Sequence, residues 1–228
     1  VAIDAAATPR ANVFSVYGVV LASLSVATSS PMAFIDSSAY LFIGGGSTTF
    51  IEVQKITTPS TTPAYTSLTT IPLGATYDLV AASLDANRYT SSYVYFAAWS
   101  ASEQKIFKVT PGTLPTATSS VDVALGSNKI INMVANNQQN LVLTSPSSTV
   151  KIMKCLDLSI LTSFNKVPGE TTIASTQDNY WITGYFDLST STATPSSLIL
   201  HYYNLSAALA PTLTIIQPDL IIPTLTVI

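Results

Sequence analysis

An all-β protein is the fold class this sequence predicts, on three observations. Apolar residues recur with period two along many short stretches rich in Val, Ile, Thr, Tyr and Phe. No stretch combines a 3.6-residue period with helix caps, because Gly, Pro, Ser and Thr interrupt everywhere. A pattern of two β runs around a polar turn also returns several times along the chain. With 228 residues the chain is long enough for a substantial core.

The first long β signature is Asn12–Thr28, NVFSVYGVVLASLSVAT. On alternate positions Phe14, Val16, Gly18, Val20, Ala22, Leu24 and Val26 are all apolar, and the other face is mixed. That predicts one strand much longer than the usual ~5–6 residues. Residues 1–11 read as a small-residue tether, so 1–28 is expected to form an N-terminal strand arm. Burying one face of such an arm returns less free energy than ordering its backbone costs. The arm is therefore expected to insert between other strands, in its own chain or, the favoured reading, in a neighbour.

From residue 29 to 216 the expected domain is built from repeats. YLFIGGGSTTFIEVQKIT (40–57) and YVYFAAWSASEQKIFKVT (93–110) align Tyr40 with Tyr93, Ser47 with Ser100, Lys55 with Lys108 and Thr57 with Thr110. A third copy runs Asn140–Asp157, and a fourth combines Tyr180–Asp187 with Ser197–Ser206. Each copy is preceded by an apolar run and a polar turn, as in MAFIDSSA before Tyr40. Each is followed by another β-prone run: YTSLTTI, SSVDVAL, ILTSFNKV and TLTII.

Four strands per unit at roughly 40–50 residues resembles a β-propeller blade, over about residues 31–216. The resemblance implies four antiparallel meanders packed face to face as a small propeller. No Trp-Asp, kelch or hemopexin signature accompanies it. A barrel or sandwich is the alternative closure of the same strands. Residues 217–228 form an expected extended tail, where Pro218 and Pro223 limit ladder pairing.

Composition narrows the function classes. Charged residues make up only 9% of the chain, against about 25% in ordinary soluble domains, so its surface is hydroxyl-rich and weakly guarded against association. The nine Lys and Arg are scattered, which argues against nucleic acid. Val13–Ala27 has the look of a signal core after Arg10, but is read as mature structure. Its serines and its length also fall short of a membrane-spanning helix, so no transmembrane segment is expected. The Ser/Thr/Pro-rich stretches STTPAY, TPGTLPTATSS and DLSTSTATPSS suit extended, solvated connections, are candidates for O-glycosylation in a eukaryotic secretory pathway, and fit the expected extracellular or cell-surface location.

The candidate chemistry is sparse. His201 is the only histidine and Cys155 the only cysteine, which leaves zinc without a ligand set and no intramolecular disulfide. No Gly-x-Ser-x-Gly elbow and no calcium loop is present, so neither an enzyme nor a cofactor is expected. Gly44-Gly45-Gly46 lacks the Lys-Ser/Thr of a phosphate loop and reads as a strand-end turn or close-packing point. Asn204-Leu205-Ser206 is the N-glycosylation sequon, making Asn204 a candidate acceptor. The tyrosines, Trp99, Trp181 and the polar run Asn136–Asn140 are candidate glycan contacts, with strand packing as the plainer role.

Two functions compete. The first is an extracellular structural protein whose partner is itself, a filament or surface-assembly subunit that donates its arm strand. Phe14, Val16, Val20, Ala22, Leu24 and Val26 would form the inserted face. This resembles donor-strand fibre subunits in logic and not in motif. The alternative is a secreted, propeller- or lectin-like module that binds glycans or a protein.

Overall fold

The computed structural model describes residues 2–4, 10–14, 17, 19–26, 30–35, 39–57, 63–84, 93–110, 116–123, 130, 132–135, 140–145, 149–165, 171–175, 180–187, 197–204 and 213–218. They form eighteen strands and no helix.

Three strands make the first sheet: β1 (Ala2–Asp4), β2 (Arg10–Phe14) and β3 (Val20–Ser25), in that order and antiparallel. Next comes a seven-stranded sheet of β4 (Met32–Ile35), β5 (Tyr40–Ile43), β6 (Thr48–Ile56), β7 (Tyr65–Leu84), β8 (Val94–Trp99), β9 (Gln104–Thr110) and β10 (Thr116–Asp122). Two four-stranded meanders follow. One is β11 (Asn132–Ala135), β12 (Asn140–Thr144), β13 (Thr149–Lys154) and β14 (Ile160–Asn165). The other is β15 (Thr171–Ser175), β16 (Tyr180–Asp187), β17 (Ser197–Asn204) and β18 (Leu213–Pro218). No sheet closes into a barrel.

The repeats map onto this order as expected. Their two-strand cores are the hairpins β5–β6, β8–β9, β12–β13 and β16–β17, each the middle of a four-stranded unit. β7 departs from the expectation of separate units. Its first part pairs with β6 and ends the first unit, while Asp78–Leu84 pairs with β8 and opens the second. Between Pro72 and Tyr77 the register with β6 jumps, and Gly74 sits there at φ +81°. Glycine carries that conformation without a Cβ clash, so the chain crosses between units with no loop.

Apolar faces then stack in layers. Phe42, Ile51, Val53 and Ile71 of the first unit pack with Val94, Phe96, Phe107 and Val109 of the second. The second unit's other face, with Tyr95, Ala97 and Ile106, meets Met133, Leu141, Leu143 and Met153 of the third. A meander has two faces, and this stacking covers both for the second unit.

The arm is corrected by the structure. Asn12–Thr28 is not one strand: β2 and β3 form an antiparallel hairpin with Tyr17 in its turn. The expected boundary at residue 216 also falls inside β18, which pairs with β17 as far as Pro218. Residues 219–228 of the expected tail lie outside the described residues.

Candidate functional site

The β2–β3 hairpin is the natural candidate, because it carries most of the residues expected to mediate assembly. Its pairing runs Arg10↔Ser25, Ala11↔Leu24, Asn12↔Ser23 and Val13↔Ala22, then skips to Phe14↔Val20. Leu21 is the extra residue of a β-bulge, and a bulge breaks side-chain alternation. The consequence is a split in the expected inserted face. Leu24 and Val26 pack against the cluster of Ala11, Leu41 and Ile43, as do Met32, Phe34 and Tyr65, so the hairpin lies on the first unit of its own chain. Ala22 is half-buried beside them. Val20, beyond the bulge, is 49% exposed. Phe14 ends β2, and Val16 lies outside the described residues.

Two hydrogen bonds fix the hairpin. The Tyr65 hydroxyl donates to the Ala11 carbonyl at 2.9 Å, tying β2 to β7. Ser23 Oγ donates to Asn12 Oδ1 at 2.7 Å across the pair. Burial raises the Tyr65 phenol above its ordinary pKa, so it stays a donor at any neutral pH. At the far end the hairpin is open: Tyr17 is 90% exposed, Val19 60% and Leu21 40%. β3 is an edge of its sheet, and VLASLS contains no charge and no proline. Uncharged sheet edges with outward apolar side chains are templates for strand addition.

The other candidate residues do not converge. His201 is buried in β17, between Thr183 and Thr214 on the neighbouring strands. Cys155 is buried in the apolar layer between the second and third units. Asn204 is the last residue of β17, opposite Tyr180. Trp99 and Trp181 lie on β8 and β16, and residues 136–139 fall outside the described residues. Among the described residues no three His, Cys, Asp or Glu side chains gather as a metal site, and no helix is long and apolar enough to cross a membrane.

Two arrangements escaped the sequence reading. Lys108 of β9 is only 6% exposed and donates to the carbonyls of Cys155 and Leu156 at 2.8 and 2.7 Å. Its ammonium also sits 4.0 Å from the Tyr93 ring centroid, a cation–π contact. Lys108 thereby clamps the second unit to the third. The three glycines form the strand-end turn between β5 and β6, with Gly44 as a close-packing point, and this turn also opens onto a cleft shared with β3. Alternation along β6 was the available signal, since it sets Thr48, Phe50, Glu52 and Gln54 on one face.

No protein-family model matches this chain, and no curated protein sequence matches it. Among solved structures it is similar to Raptor from Chaetomium thermophilum, a protein that contains a β-propeller, with a TM-score of 0.55 at 9% identity. The match covers 81% of this chain and 16% of that one. At that identity the likeness concerns the fold alone, a propeller-like all-β arrangement.

Proposed function

We propose that this chain is a non-enzymatic, extracellular structural module whose partner is a second copy of itself, joined through the first sheet by β-strand addition. The carrying observation is the open end of the β2–β3 hairpin, where Tyr17, Val19, Val20 and Leu21 project from an uncharged edge. A donated single strand of residues 12–28 gives way in this reading to the hairpin as the associating unit, because Leu24 and Val26 are already used within the chain. The low charge of the whole sequence supports it, since little repulsion opposes contact between copies. A strand edge that meets a different surface on the next copy makes a heterologous contact, and such contacts propagate as filaments unless the rotation closes.

Sedimentation velocity of the full chain tests the reading. The wild type is expected to form large species whose size grows with concentration, and the pair Val20→Lys with Leu21→Lys to stay monomeric. A wild-type monomer at high concentration would sink the proposal.

A further inference from the structure

The cleft between β3 and the β5–β6 turn has a volume of about 420 Å³, within the ~300–1,000 Å³ range of small-ligand sites. Its lining includes Ser25 of β3, Gly45 and Gly46 of the turn, and Thr49, Phe50 and Glu52 of β6. The three glycines divide into two kinds. Gly44 is required by packing, because a Cβ there would stand 2.9 Å from Leu79 Cβ and from Pro31 Cγ. Gly45 would meet nothing within 4 Å, and Gly46 would meet only Asp78 Oδ1 at 3.8 Å. Neither has a left-handed φ. Backbone geometry and packing therefore leave both glycines unexplained, and their effect is a bare main-chain floor that a ligand can approach closely.

That floor is held firmly. Gly44 N–H donates to the Pro31 carbonyl, and Leu79 N–H to the Gly45 carbonyl, both at 2.9 Å. Ser47 N–H donates to Asp78 Oδ1 at 2.8 Å. Above the floor, Thr48 Oγ1 bonds both the carbonyl and the N–H of Phe50, so the residue that presents the 42%-exposed ring is fixed from both sides. Gln54 Nε2 donates to Glu52 Oε1 and orients that carboxylate. Pre-organised polar groups beside an aromatic face are what a small-molecule site needs, because binding then costs little ordering.

From this we infer that the cleft is a binding site for a neutral saccharide. No Lys, Arg or His lines it, while Glu52 does, so phosphate or sulfate would be repelled. An uncharged sugar offers hydroxyl donors to the Glu52 carboxylate, partners for the hydroxyls of Ser25 and Thr49, and an apolar ring face for Phe50.

Protein-observed NMR of the full chain with maltotriose, tri-N-acetylchitotriose and xylotriose tests this. At least one sugar is expected to shift the amides of Ser25, Gly45, Gly46, Phe50 and Glu52 saturably, with a millimolar or tighter Kd. Gly45→Val extends into the open floor from a Cβ position with nothing within 4 Å, and the remaining amide shifts report whether the fold is kept. The same variant, and Phe50→Ala separately, should each weaken binding by about tenfold or more. The inference is overturned if no sugar moves these amides, if the shifts map elsewhere, or if Gly45→Val binds as the wild type does. Saturation of the same amides by an uncharged Ser/Thr peptide, with no sugar binding, would give the cleft to a protein partner and equally overturn it.

Discussion

Lys55 and Lys108 occupy the same place in two copies of one repeat, and they do opposite things. Both lie near the end of the second strand of a central hairpin, β6 and β9. Lys55 is exposed, whereas Lys108 is buried under Tyr93 and bonds two carbonyls of the next unit. The difference originates outside the hairpins. The turn after β13 brings the Cys155 and Leu156 carbonyls to Lys108, and Leu158 holds that turn at φ +60° while buried itself. A repeat thus sets the strand and the side-chain direction, and the adjacent layer sets what the side chain meets.

Four experiments probe how the layers set the fate of their side chains, taken in order of falling magnitude. Phe96→Ala empties the centre of the layer shared by the first two units and should cost about 3–5 kcal/mol in denaturant unfolding. A loss below 1 kcal/mol would mean that layer is not a tight core. Lys108→Met keeps the stem but leaves two carbonyls without their charged donor, for a loss of about 2–3 kcal/mol. Lys55→Met should stay within about 0.5 kcal/mol of wild type. Equal losses at the two lysines would erase the distinction. Hydrogen exchange of the Lys154 and Leu158 amides, which bridge the turn, should accelerate in the Lys108 variant alone.

The third experiment is a pH dependence at the start of β9. Tyr77 Oη donates to Glu103, Lys105 Nζ donates to Tyr77 Oη at 3.1 Å, and Lys105 pairs with Glu103 at 2.9 Å. The Tyr77 phenol, and after it Lys105, hold the Glu103 carboxyl below its ordinary value of 4.5. A folded value below the unfolded one means that this contribution is fully present above about pH 4.5. It is lost as pH falls through the folded value. The stability gap between wild type and Glu103→Gln should be constant near neutrality and shrink in acid. A gap that widens on acidification would reverse the assignment. The smallest effect on folding belongs to Leu21→Lys at the open hairpin, within about 0.5 kcal/mol, because the side chain is already solvated. Its expected signature is reduced self-association in light scattering, and a large folding loss would instead place Leu21 in the core.

Legibility was uneven in a physically sensible way. The hairpins β5–β6, β8–β9, β12–β13 and β16–β17 were visible because period-two alternation and turn residues are local properties. The flanking strands β4, β10, β11, β14, β15 and β18 were visible for the same reason. The hairpin in residues 12–28 was missed because apolar alternation continues through Val16, Gly18 and Val20, and one glycine was too weak a stop signal. The cleft was missed because packing makes Gly44 necessary and leaves Gly45 and Gly46 open, a contrast that needs the positions of Pro31 and Leu79.

The all-β class and the four-stranded units follow from residue type and spacing along the chain, whereas the faces of residues 12–28 do not, because a bulge in the β2–β3 hairpin splits them. Tertiary structure decided that β7 serves two units at once, that the first sheet folds back on Leu41 and Ile43, and that Lys108 is a clamp while Lys55 is solvated. Those outcomes depend on which surface arrives opposite each strand. Contacts between residues far apart in sequence leave little trace in local pattern.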